Sequence, residues 1–123
     1  MASITVVSGP NEGDYYPVKL RPMVIGRDEG VPIQLRDELV SRKHVQIRMD
    51  DEQRSHVAVD MSSANGTMVN GRKIDNDTPL EDGDLIELGN SKLMFSTREF
   101  DDRESALTHW KQRGERGKST LIR

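Results

Sequence analysis

The sequence predicts an all-β protein, an antiparallel β-sandwich of about ten or eleven strands followed by a short C-terminal helix. Three observations carry that prediction. Short β-branched runs recur every eight to twelve residues, Gly, Pro and Asn punctuate them, and the pattern breaks after Phe100.

Ile4 to Val7 forms the first run and stops at Gly9-Pro10-Asn11-Glu12-Gly13, a strong turn signal. Tyr16 to Leu20 reads as the second strand and Met23 to Ile25 as the third, closed by Gly26. Val31 to Leu35 alternates with a period of two, and Pro32 assigns it to a sheet edge or a strand start. Val45 to Met49 alternates as well and meets a polar loop, after which come Val57 to Val59 and Thr67 to Val69. Asn65-Gly66 and Asn70-Gly71 are hairpin signals, because both residue types accept positive φ cheaply. Leu85 to Leu88 and Lys92 to Ser96 are separated by Gly89-Asn90. Asp101, with Glu104 three residues on, fits a helix start, Leu107 and Trp110 share a face, and Gly114 ends the helix. The expected organisation is therefore a domain over residues 1–99 and a helix with a linker-like tail over 100–123.

Bulk composition narrows the function. A chain of 123 residues matches one domain, and 32% charged against 33% hydrophobic residues implies a modest core with a well-solvated surface. A net charge of −3 argues against a general polyanion binder, and Arg42-Lys43 with Arg36 and Arg48 is too short and too free of aromatics for nucleic acid. With no cysteine, disulfide frameworks, thiolate metal sites and thiol nucleophiles are excluded. The amino terminus enters a strand pattern directly, without a leader or a membrane span, so a cytoplasmic protein is the expectation. No cofactor and no metal are called for. Gly114 to Ser119 is not a phosphate-binding loop, because Gln112 stands where the first glycine is required.

The polar residues that strand packing does not explain fall in three connections: Gly26-Arg27, Ser41-Arg42-Lys43-His44, and Ser62 to Thr67. In a sandwich the connections at one end gather together. Arginine, serine and asparagine converging from three loops make an anion site. A phosphate carries roughly −1.5 to −2 charges and three strong acceptors. Arg27 offers a fixed fork of donors, Ser41 a hydroxyl, and loop amides the rest. His44 stands at a strand start with no nucleophile or partner acid in register, so a bracing role fits it better than general-base catalysis.

In order and approximate spacing, Gly26-Arg27, Ser41-x-x-His44 and Asn65-Gly66 resemble the signature of the forkhead-associated (FHA) domain. The supporting pattern agrees: Asp60-x-Ser62-x-x-Asn65-Gly66-Thr67-x-Val69-Asn70-Gly71, then Leu80-x-x-Gly83-Asp84-x-Ile86-x-Leu88-Gly89. The resemblance covers about residues 4 to 97. It implies a phosphothreonine-dependent protein-interaction module in Ser/Thr kinase signalling, not an enzyme. The implied partner is a phosphothreonine-containing protein or peptide, such as a Ser/Thr kinase or its substrate. By resemblance Arg27 and Ser41 are the phosphate ligands, Arg42 a second phosphate contact, and Asn65 the residue that bonds the peptide main chain. Gly26 and His44 are implied scaffold positions, with Gly66, Asn70 and Gly71 supporting the loop turns. In this family threonine is preferred over serine because its methyl enters a small pocket. One buried methyl contributes on the order of 0.8 kcal/mol, about fourfold. The sequence departs from the pattern at Ala64, where a hydroxyl often helps hold the phosphate; the expected consequence is either weaker binding or a shift of the load to Arg42 and Thr67. Two other readings stand beside this one. The first is a structural or assembly domain independent of phosphate, and the second is the sensory front of a larger multidomain regulator, suggested by the tail.

Overall fold

A computed structural model describes residues 2–18, 21–51 and 55–97; the expected C-terminal helix and tail lie outside them. All regular structure in the described residues is strand: β1 (Ala2–Ser8), β2 (Tyr15–Val18), β3 (Met23–Gly26), β4 (Ile33–Gln34), β5 (Val45–Asp50), β6 (Ser55–Asp60), β7 (Met68–Val69), β8 (Arg72–Lys73), β9 (Thr78–Pro79), β10 (Leu85–Leu88) and β11 (Ser91–Ser96). They form a six-stranded sheet, β2-β1-β11-β10-β7-β8, and a five-stranded sheet, β4-β3-β5-β6-β9. Among the described residues no helix is long and apolar enough to cross a membrane.

Side-chain alternation decides which face of each strand packs inward. In β5, Val45 and Ile47 are buried while Gln46 and Arg48 are not; in β10, Ile86 and Leu88 are buried between Leu85 and Glu87. One-residue slips would expose these sets, so the register is strongly specified. The core between the sheets joins Ile4 and Val6 of β1 and Phe95 of β11 to Ile25, Ile33 and Ile47 of the other sheet. Each of these six side chains is fully buried.

Two expectations are refined. The pairings are antiparallel with one exception, β3 with β4, where Ile25 lies beside Ile33 and Gly26 beside Gln34 in parallel. β4 is the edge strand that Pro32 implied; it is shorter than Val31 to Leu35, and the Leu35 N–H still donates to the Gly26 carbonyl at 2.8 Å. The two-residue strands β8 and β9 were not anticipated; β8 closes a hairpin with β7 through Asn70 (φ 52°) and Gly71 (φ 83°). Positive φ at both central residues is the type I′ geometry that an Asn-Gly pair favours.

Strand β6 also carries a pH-sensitive group. The His56 ring packs against Phe95, with centroids 5.5 Å apart and planes at 58°, and its buried Nε2 has no hydrogen-bond partner. Burial holds its pKa below the ordinary value of 6.5. The unfolded chain therefore takes up the proton first. Stability is fully present above about pH 6.5 and declines as pH falls toward the lowered folded value. Thermal melts between pH 8 and 5 should show a melting temperature that drops below about pH 6.5, and His56→Gln should flatten that slope. An unchanged slope in the variant would remove His56 as its source.

Candidate functional site

The three loops singled out from the sequence follow β3, precede β5 and follow β6, and backbone bonds join them at one end of the sandwich. Arg27 N–H donates to the Ser41 carbonyl at 3.0 Å and Asp28 N–H to the Arg42 carbonyl at 3.2 Å. This zipper requires a glycine at the end of β3. A Cβ on Gly26 would lie 2.0 Å from the Arg42 carbonyl oxygen, far inside contact distance.

His44 ties the second loop to the third. Its ring is fully buried; Nδ1 accepts the Ser41 N–H at 2.9 Å and Nε2 contacts the Gly66 carbonyl at 2.8 Å. Because Nδ1 accepts, the ring proton sits on Nε2 and is donated to Gly66. The His44 backbone extends the link, its N–H donating to Ile25 and its carbonyl accepting from Met61 N–H, each at 2.9 Å. With both ring nitrogens engaged and no solvent exposure, His44 is placed to brace the loops rather than to move protons on a ligand.

On this frame, three consecutive residues receive the recognition groups. The Leu39 carbonyl accepts a hydrogen bond from Asn65 Nδ2 at 2.8 Å, and the Val40 carbonyl accepts one from Arg27 Nε at 3.1 Å. Ser41 Oγ accepts the Ala64 N–H at 2.9 Å. Each group keeps capacity for a ligand: Arg27 its four terminal N–H donors, Ser41 its hydroxyl proton, and Asn65 its Oδ1 and a second N–H. Arg27 and Asn65 are exposed and Ser41 half-buried. Arg42 and Lys43 are exposed beside them, which concentrates positive charge at this rim of a chain whose net charge is −3.

Thr67 is a correction. It is fully buried, and its hydroxyl donates to Asp60 Oδ1 at 2.7 Å, so it cannot take over phosphate contacts from Ala64. Asp60 also accepts from the Ser63 hydroxyl at 2.5 Å and from Ser63 N–H at 3.1 Å. Burial raises the Asp60 pKa, but the hydrogen bonds from Ser63 and Thr67 outweigh it and hold the carboxyl below its usual 3.8. This carboxylate shapes the loop that carries Asn65. Asp60 stands in the FHA-like motif, five residues before Asn65, where its position is the sequence signal for this role.

The supporting residues divide. Gly66 has φ of 81° beside His44's bond. Asn65 itself does not have positive φ; its carboxamide, not its backbone tolerance, explains the residue. Asn70 and Gly71 are not assembled with the rim. The Asn70 carboxamide donates to Asp84 Oδ1 and accepts Leu85 N–H, both at 2.9 Å, so the pair fastens the β7–β8 hairpin to β10.

Known proteins share this architecture. A curated relative in Corynebacterium jeikeium, an oxoglutarate dehydrogenase inhibitor, is 36% identical over 94 residues, 76% of this chain and 63% of that protein. The glycogen accumulation regulator GarA of Mycobacterium tuberculosis is 33% identical over 96 residues, covering 78% of this chain and 57% of GarA. The chain thus spans less than two thirds of either relative's length. A solved structure described as a structural and functional analysis of phosphothreonine-dependent FHA domain interactions superposes with a TM-score of 0.70 and 29% identity, over 80% of this chain and 98% of that one. The model of the FHA domain matches residues 23–89, which include all three rim loops and both ends of the Asp60 network, and the chain belongs to the FHA domain family.

Proposed function

We infer that this chain is a phosphothreonine-dependent protein-interaction module acting in Ser/Thr kinase signalling. The observation that carries the reading is the attachment of Asn65, Arg27 and the Ala64 amide to the successive positions Leu39, Val40 and Ser41. The phosphate meets the Arg27 guanidinium, the Ser41 hydroxyl and the neighbouring Arg42. Asn65 bonds the peptide main chain on either side of the phosphothreonine and holds it extended. Charge-assisted bonds to preset donors capture a phosphate without activating water or a nucleophile against it. The module therefore binds rather than catalyses, in keeping with relatives described as an inhibitor and a regulator. Its partner is a phosphothreonine-bearing kinase or kinase substrate, and a cytoplasmic location follows from that partner class.

The two sheets run from Ala2 to Ser96, which supports a binding unit over residues 1–99. The activity of any longer protein containing it is a separate matter.

One titration tests the reading against a phosphate-independent assembly role. A single peptide is offered in phosphorylated and unphosphorylated forms. The phosphorylated form should bind at least about thirtyfold tighter, the equivalent of roughly 2 kcal/mol from hydrogen bonds to a charged group. Equal affinity for both forms would remove the phosphate from the mechanism.

A further inference from the structure

The three carbonyl and hydroxyl anchors of the rim belong to one short loop, and that loop is held by a buried carboxylate from outside the recognition set. Asp37 is 2% exposed. Its Oδ1 accepts Leu39 N–H at 3.0 Å, and its Oδ2 accepts both Asn90 N–H at 2.7 Å and the Ser91 hydroxyl at 2.8 Å. The Asp37 carbonyl accepts Val40 N–H at 3.0 Å. The donors are Asn90, in the β10–β11 turn, and Ser91, the first residue of β11, more than fifty residues along the chain. The turn sits directly on the carboxylate: a Cβ on Gly89 would fall 2.9 Å from Oδ1 and 3.0 Å from Oδ2. A buried carboxylate is costly unless donors surround it, and here three neutral donors do.

We propose that Asp37 is a positioning residue for phosphopeptide recognition, anchoring the short loop on which the Leu39 and Val40 carbonyls hold Asn65 and Arg27. This rests on the functional reading above. The Asp37 carboxylate bonds the Leu39 N–H and its backbone carbonyl the Val40 N–H, which shares a peptide plane with the Leu39 carbonyl; the Leu39 and Val40 carbonyls in turn hold the Asn65 carboxamide and the Arg27 guanidinium. The carboxylate thereby ties the loop that carries these anchors to the turn between β10 and β11. Binding to a pre-set rim avoids the ordering penalty that a loose loop would add.

The test uses the full chain with a degenerate phosphothreonine peptide pool and its unphosphorylated counterpart. In Asp37→Asn the amide NH₂ must face an N–H or O–H donor, so at least one bond is lost at nearly unchanged volume. Affinity for the phosphorylated pool should fall about tenfold, as loss of a charged hydrogen bond predicts, with the protein folded at the assay temperature. Asp84→Asn is the comparison. That carboxylate holds Asn70 and Glu81 away from the rim and should lower the melting temperature without changing affinity. In an Asn65→Ala background the Asp37→Asn loss should shrink, because the Leu39 carbonyl then has no recognition group to aim; a purely structural residue would show additive losses.

A folded Asp37→Asn that binds within about twofold of wild type overturns the proposal, as does full additivity with Asn65→Ala. If Asp37→Asn does not fold, Ser91→Ala removes one donor and leaves the carboxylate bonded to Leu39. It should weaken binding about threefold, and unchanged affinity overturns the proposal equally. A wild-type chain that ignores phosphorylation would show instead that the functional reading has failed, and the positioning role with it.

Discussion

Arg27→Ala should weaken phosphopeptide binding by about 2–5 kcal/mol while leaving the melting temperature almost unchanged. The side chain is exposed, makes one bond through Nε to the Val40 carbonyl, and forms no ion pair among the described residues, so little of the fold depends on it. Its four terminal N–H donors form a planar, permanently charged fork that matches a phosphate. Arg27→Lys should fall between the two, since it keeps the charge and loses the planar fork. Isothermal titration of the three proteins with one phosphopeptide gives the ranking directly. Near-equal affinities would transfer the phosphate to other groups, Arg42 first. The loss should also be largest at low salt, because the charge pair forms at an open rim.

The second large effect is on stability. His44→Ala should destabilise the fold by about 3–5 kcal/mol, leaving the Ser41 N–H and Gly66 carbonyl without partners and opening a cavity at a fully buried position. Urea denaturation measures this, with the change appearing in the midpoint rather than the slope. Phosphopeptide affinity should fall too, because the bonds lost are those that hold Ser41 and the Asn65–Gly66 turn in mutual register. A loss of stability under about 1 kcal/mol would mean that the loops find other partners and that the histidine is not their brace.

These two predictions separate the residues that meet the ligand from those that set the geometry, and the two classes differ in how they could be recognised. Arg27, Ser41 and Asn65 stood out because strand packing had no use for them. Their loops fell at intervals that a sandwich gathers at one end, and the motif order supplied the rest. Asp37 and Asp60 were passed over for the opposite reason. Each reads locally as an ordinary loop acid, and only partners brought in by folding reveal its role, Asn90 and Ser91 for Asp37 and Thr67 for Asp60. Thr67 shows the same limit in reverse. Its place in the motif suggested a ligand, whereas its burial and its bond to Asp60 make it a brace. No residue letter encodes which way a hydroxyl faces.

The strands divide along a similar line. Period-two alternation marked β5, because a strand with one buried face repeats every second residue, and β-branched content marked β1. Strands β8 and β9 span two residues each, too few to carry a period, and exist only because a neighbour supplies the hydrogen bonds. The parallel pairing of β4 with β3 escaped because alternation marks a strand but not the direction of its partner. What the amino-acid order determined by itself was therefore local: alternating strands, turns at Asn and Gly, and a set of polar residues without a structural duty. Which of those residues meet, and which carboxylates hold them, was decided by contacts across 7 to 54 positions of chain, and the longest of them come into being only when the two sheets close on a common core.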